Sequence, residues 1–374
     1  MRSLPTAPSA GGAPGSASPE ILSGWWSRLI RVIIPKWAGL RKSLFPIVGK
    51  GYNRAVRFPE PPSKPLQKRF GTFRMTLDAA HEHRPAVPFL SGVRRALRKL
   101  VWRVSRILYM HARGEETEDG FLHNGEARVI ADLIRASRDG EAVVLLDVGA
   151  NHGAWSQSVL DRLRDRPALR PHLCLTAFEP VTSSRQRLEA ALASEIARGG
   201  ITVSSSALSY RVGRARMARM SESGGTNSLE IDKAMEDAAI GFEEVDFMTL
   251  SAWNEAAGKS HIHMVKIDAE GHDARVIEGA LPLLQAGMID VLQFEYNHRW
   301  LFARRSLHDV FEMIAGTPYV LGRIRPSCVE LHDEWHFELD RFFQCNYLLI
   351  HDRALSWFRT RRGAFGPSNI WEQF

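Results

Sequence analysis

Four aliphatic residues in succession, Val143-Val144-Leu145-Leu146, run into Asp147 and then into Gly149 and Gly153, four positions apart. An apolar run without polar alternation is a strand covered on both faces, as strands of a parallel sheet are. An acid and two glycines at its carboxyl end predict a strand-to-helix turn where backbone must approach something closely. Open α/β sheets take their ligands in the crevice beyond such strand ends. The stretch therefore points to an α/β chain with a ligand crevice or, on its glycines alone, to a tight structural turn.

Downstream, helix and strand signals alternate. Strands are expected at Leu173–Phe178, Ile201–Leu208, Ile262–Ile267, Ile289–Phe294, Tyr319–Ile324 and Phe342–Ile350. Helices are expected at Glu126–Arg138, Trp155–Arg164, Ser183–Arg198, Ala274–Gln285 and Ser306–Ala315. Crossovers of this length imply a doubly wound, mostly parallel seven-stranded Rossmann-like sheet over residues 124–353, with 354–374 as a C-terminal tail. Arg211–Val245, containing the Ser/Gly-rich run Ser221–Ser228, interrupts the alternation and is expected to be a loop that covers the site.

The first third has a different character. Met1–Arg113 holds 21 of the 49 Lys/Arg but only 4 of the 42 Asp/Glu, so a basic extension precedes an acidic body. Residues 1–20, rich in Ser, Ala, Pro and Gly, are expected to be disordered. Within 21–113 two amphipathic helices are expected. In Ile21–Leu40, Trp25, Trp26 and Trp37 stand among aliphatics and Arg28, Arg31 and Lys36, a pattern that fits an anionic membrane surface or packing on the body. Ser91–Arg113 has an apolar stripe and an arginine-rich face; a core-facing helix is the plain reading, with lipid headgroups or nucleic acid as alternatives. No apolar run approaches the roughly 20 residues of a membrane span. The three cysteines form no C-x-x-C pair, and a cytoplasmic location, peripheral to a membrane or not, is the expectation.

Acids end four of the strands: Asp147, Glu179, Asp268 and Glu295. Parallel strands bring these ends to one sheet edge, and carboxylates are seldom buried without a partner or a task. Glu179, at the end of the next strand, can accept both hydrogen bonds of a ribose diol. A dinucleotide fingerprint spaces its glycines two apart and faces a phosphate. Here an acid stands at the mouth of the turn, which suits an ammonium group. An adenosine with an α-amino acid at its other end is S-adenosylmethionine, favoured over NAD on these residues.

Val144–Ser156 resembles the first motif of class I S-adenosylmethionine-dependent methyltransferases, and Ala177-Phe178-Glu179-Pro180 their second-strand acid. Val265–Asp273, with Val276, Gly279 and Ala280, is similar to the signature of the FkbM-type methyltransferases, and Gln293–Asn297 continues it. The resemblance runs from about Leu145 to Ile324, with Asp273 where that family commonly has Glu and Ser251 where it often has Asp. It implies methylation of a hydroxyl on a sugar, glycolipid, polyketide-like or other small molecule. It further implies that Asp147, Gly149, Asn151 and Gly153 shape the methionine end, Glu179 holds the ribose, Ser206 and Ala207 border the adenine, and Asp268 lies between cofactor and acceptor.

A base that takes the hydroxyl proton would be Asp268 or Glu270, with Lys266 paired to Asp268 and with Glu295 and His298 behind. Lys266, Asp268 and Glu270 could equally form a structural ion-pair cluster. Asp268, Glu270 and Asp273 could hold Mg²⁺, but no metal is expected, and His81-Glu82-His83 and His261-Ile262-His263 are too short and isolated for a metal site. Two other functions stay open: an RNA methyltransferase that uses the basic extension, and a non-catalytic membrane-associated protein that keeps the fold. The base-methylating signature of two prolines and an aromatic is absent after Asp268.

Overall fold

The computed structural model describes residues 88–115, 123–220, 227–258 and 261–374. The expectations for residues 1–20 and for Ile21–Leu40 lie outside these residues, as do residues 221–226 of the run Ser221–Ser228.

The strands in the first half are β1 (Val143–Val148), β2 (Leu173–Phe178), β3 (Ile201–Ser204), β4 (Ala207–Leu208), β5 (Gly213–Arg219) and β6 (Gly241–Met248). The second half supplies β7 (Ile262–Ile267), β8 (Ile289–Tyr296), β9 (Tyr319–Ile324), β10 (Val329–His332), β11 (Cys345–His351), β12 (Thr360–Phe365) and β13 (Trp371–Gln373). Ten of them form one sheet in the order β13-β12-β10-β9-β11-β8-β7-β1-β2-β3. The stretch from β3 to β8 is parallel throughout, and β11 runs antiparallel to both β8 and β9. The expected doubly wound, mostly parallel sheet is therefore present, with strands added beyond seven.

The two faces of β1 show why an unbroken aliphatic run was needed. Val144, Leu146 and Val148 pack with Ala274, Val276, Ile277 and Ala280 of the helix Asp273–Gln285 on one side. Val143 and Leu145 pack with Val129, Ile130 and Leu133 of the helix Glu126–Ala136, and with Trp155, Val159 and Leu160 of the helix Ala154–Arg162, on the other. Alternate residues of a strand face opposite sides, so both sets must be apolar. Gly279 of the helix Asp273–Gln285 permits close approach to the next segment, since a Cβ there would stand 2.0 Å from the Ser209 carbonyl oxygen.

Four expectations need correction. Ile201–Leu208 is two strands: β3 ends the main sheet, and β4 opens a second sheet, β4-β6-β5. Arg211–Val245 contains β5 and the start of β6, an antiparallel pair in register from Gly213↔Phe247 to Arg219↔Gly241, with the helix Lys233–Ala238 between them. One side of this pair is exposed and charged (Arg214 meets Asp246 at 2.7 Å), while Met217 and Val245 pack with Val181 on the other. That half-polar texture hid the strands. Residues 354–374 are not a loose tail, because β12 and β13 extend the sheet and Ala354 and Phe358 are buried in its core. The helix Pro88–Ala112 does not face the core: Leu100 is 58% and Ile107 65% exposed.

Candidate active site

The turn after β1 is held against its neighbours by backbone. Gly149 and Ala150 both donate to the Phe178 carbonyl at 3.0 Å, and Asp268 N donates to Val148 O at 2.9 Å. Gly149 lies at φ 74°, and a Cβ on it would stand 2.0 Å from the Asp268 carbonyl oxygen. Only glycine fits both the left-handed conformation and that approach. The first motif and the Asp268 segment thus meet edge to edge.

Asp147 is not at the mouth, contrary to the sequence reading: it is fully buried beneath the turn. Its Oδ2 accepts the Ser156 hydroxyl at 2.7 Å, and Lys266 Nζ lies 3.8 Å from Oδ1. Burial raises its carboxyl above the ordinary range, with Lys266 opposing the shift. Lys266 also reaches Asp268 Oδ2 at 3.1 Å. Burial disfavours the ammonium, but Asp268, Asp147 and Glu126 outweigh it and hold Lys266 above its usual range. Lys266 is therefore a fixed cation and cannot take a proton near neutral pH.

Above the turn a cavity is lined by Gly149, Asn151, Glu179, Ala207, Asp268 and Glu270, among others. The two oxygens of Glu179 accept the N–H groups of Asn151 at 2.8 Å and Val181 at 2.9 Å, and burial pushes the carboxyl up to about 7. Ala207 lines this cavity, whereas Ser206 is half-buried beside it with its N–H on the Ser204 hydroxyl at 3.2 Å. Met217 of β5, with Asn227 and Leu229 further along the chain, lines one side of this cavity.

Glu270 sits at φ 52° with its carboxylate on Arg299 at 2.7 Å and its carbonyl accepting the Ser228 hydroxyl at 2.8 Å. Burial, with Asp268 adding, pushes it up to about 7. His272, which also lines the cavity, lies 2.9 Å from both Glu230 and Ser209. Asp273 accepts the Gly271 N–H at 3.1 Å and the Ala269 N–H at 3.4 Å, which makes it the clasp of this turn. Ser251 donates to the Gly279 carbonyl at 3.1 Å.

A second, polar cavity is lined by Asn124, Glu126, Trp155, Lys266, Glu295 and Asn346, among others, and Asp268 belongs to its wall too. Among the described residues, no other lines both cavities. Glu126 accepts from Asn124 and Gln293 at 2.6 Å each and from Asn346 at 3.1 Å. Glu295 accepts from Asn297 at 2.7 Å and Gln344 at 2.8 Å, and burial with Asp268, Asp273 and Glu270 nearby raises it well above the carboxylate range.

Sequence reasoning missed Glu126 and Asn346. The usable signal was a lone asparagine in the apolar strand Cys345–His351 and a lone glutamine, Gln293, in β8. His298 is exposed and lines neither cavity. His261 and His263 prove less isolated than expected, since the fold brings both near Asp290 at the far end of β7. There Asp290 is already held by His261 and Arg353, and His263 Nδ1 accepts the Val144 N–H at 3.2 Å.

The sequence model of the methyltransferase FkbM domain matches residues 147–349. No curated protein matches the chain by sequence. Among solved structures, a methyltransferase FkbM from Methylobacillus flagellatus KT is 15% identical, with 57% of this chain and 45% of that one covered and a TM-score of 0.37. The chain thus spans under half of that protein's length. A precorrin-6y C5,15-methyltransferase from Geobacter metallireducens is 10% identical, covering 60% of this chain and 86% of that one, with a TM-score of 0.31. An rRNA methylase from Streptococcus thermophilus is 9% identical, covering 60% and 94%, with a TM-score of 0.31.

Proposed function

Because this chain belongs to the FkbM methyltransferase family, we propose that it uses S-adenosylmethionine to methylate a hydroxyl oxygen of a sugar, glycolipid or other polyhydroxylated small molecule. The observation that carries this reading is the position of Asp268 in the wall of both cavities. One cavity would take the cofactor and the other the acceptor, with the transferred group crossing beside Asp268.

The residues fit that cofactor. In the wall of the cofactor cavity, the Asn151 Oδ1 is buried without a hydrogen-bond partner. Buried acceptors of this kind suit a donor-rich ammonium. Each oxygen of Glu179 has a lone pair left after its backbone bond, which suits a ribose diol. When bound, S-adenosylmethionine supplies a methyl group made electrophilic by a sulfonium.

The chain's own part is placement and proton transfer. Aligning the acceptor oxygen can contribute up to about 7–11 kcal/mol. Asp268, held by Lys266 at 3.1 Å, accepts the hydroxyl proton as the oxygen attacks, an effect worth roughly 10²–10⁴-fold. Glu295, raised well above the usual range by burial, stands in the same cavity wall as Asp268. Glu270 is the second base in reach of the cofactor cavity, restrained by Arg299. Lys266 positions Asp268 and takes no proton.

A screen with tritiated methyl S-adenosylmethionine over glycans, glycolipids and RNA tests the reading. Label in a sugar or lipid hydroxyl is expected. Label in RNA, label on nitrogen, or none in any acceptor class contradicts it.

A further inference from the structure

We propose that the helix Pro88–Ala112 is a docking surface for an anionic lipid bilayer, lying in the plane of the headgroups with its aliphatic stripe buried. The helix runs 25 residues, and from Leu97 to Leu108 its aliphatic side chains are uncovered. At about 3.6 residues per turn, Leu97, Leu100, Val101, Val104, Ile107 and Leu108 share one arc of roughly 120°. All six are exposed. Arg94 and Arg103 flank the arc, and the helix carries six Lys/Arg and no Asp or Glu.

The manner of attachment decides which way the stripe points. Tyr109 and Arg113 fall on the arc opposite to it. Tyr109 Oη donates to Glu338 Oε2 at 3.0 Å, and Arg113 Nη2 donates to the Glu338 carbonyl at 2.7 Å while its Nη1 pairs with the Glu338 carboxylate. Arg113 Nε also bonds Glu115 at 2.8 Å, and Glu115 pairs with Arg323 of β9. The body thus grips the polar side of the helix end and leaves the aliphatic side turned outward.

Charge selects the occupant. A second copy laid on the stripe would set its Arg94 and Arg103 against their counterparts, with no acid in the helix to pair them. Residues 1–87 hold 14 Lys/Arg against 4 Asp/Glu, the same sign again. RNA would engage the arginines and leave the aliphatic stripe in water. An anionic bilayer takes both, burying the stripe while the arginine stems lie along the apolar boundary and their heads reach phosphate. No helix among the described residues is long and apolar enough to cross a membrane, so this one lies along the surface.

The full chain should co-sediment with phosphatidylcholine vesicles containing phosphatidylserine and not with phosphatidylcholine alone. Arg98→Gln with Lys99→Gln should weaken that partition by about fivefold per charge removed. Val104→Asp with Ile107→Asp should abolish it, with an unchanged thermal melt showing that the body is intact. Vesicle binding unaffected by either pair would place the membrane contact elsewhere in the chain and overturn the proposal, as would no binding. A dimer in sedimentation velocity that Ile107→Asp disperses would assign the stripe to a second copy instead. RNA retention lost in Arg98→Gln but kept in Ile107→Asp would assign the basic arc to RNA, which also overturns it.

Discussion

Lys266 Nζ stands 3.1 Å from Asp268 Oδ2, at the place where the two cavities share a wall. The same ammonium lies 3.8 Å from buried Asp147, so one cation neutralises both the floor of the first motif and the carboxylate in the wall between the two cavities. This links stability to function in one side chain.

Lys266→Met should therefore do more than remove a pair. It leaves Asp147 buried with only the Ser156 hydroxyl as partner. Breaking a buried pair from one side costs about 3–5 kcal/mol. Urea unfolding should show the loss as a lower midpoint, and methyl transfer should fall with it. A variant as stable as the native chain would show that the cation is dispensable.

Gly149→Ala tests the contact between the turn and the Asp268 segment. A Cβ would stand 2.0 Å from the Asp268 carbonyl oxygen at a left-handed φ. The strain alone is about 1–3 kcal/mol, and relief requires moving Asp268. A thermal melt should fall and cofactor affinity should drop more than tenfold. Native-like affinity would mean that the turn can shift without cost to the site.

Acidity should stabilise the protein without its cofactor. Glu179, Glu270 and Asp273 each titrate at about 7 in the fold, against 4.5, 4.5 and 3.8 unfolded, because burial disfavours their charge. Between those values the folded state binds more protons, so the stability they contribute is full below about 4 and is lost as pH rises through 7. His332, held down to about 3 by burial, acts in the opposite sense below 6.5, but one imidazole is outnumbered by the carboxyls. Unfolding free energies from urea titrations should fall from about pH 5 to about pH 7 and level off above, and Glu179→Gln should flatten that decline by up to about 1.4 kcal/mol per pH unit. A midpoint that rises over this range would contradict the shifts.

The parts of the fold legible in the sequence were those governed by local pattern. β1 needed aliphatics on both faces, and Gly149 marked a close backbone approach. What escaped was set by tertiary context. β5 and β6 carry many charged residues because one face is in water, and they pair with each other rather than joining the main sheet. Asp147 reads as a residue at the mouth until the strand ends are stacked and Ser156 and Lys266 are seen to enclose it. Glu126 lies 167 positions from Gln293, and nothing local announces their hydrogen bond.

The most direct test is calorimetric titration of the native chain and of Glu179→Ala with S-adenosylmethionine. The native chain should bind one equivalent, and the variant, which loses the acceptor for the ribose diol, should bind at least tenfold more weakly. No heat with the native chain, or equal affinity in the variant, would contradict the assignment of the Gly149–Glu179 cavity to that cofactor.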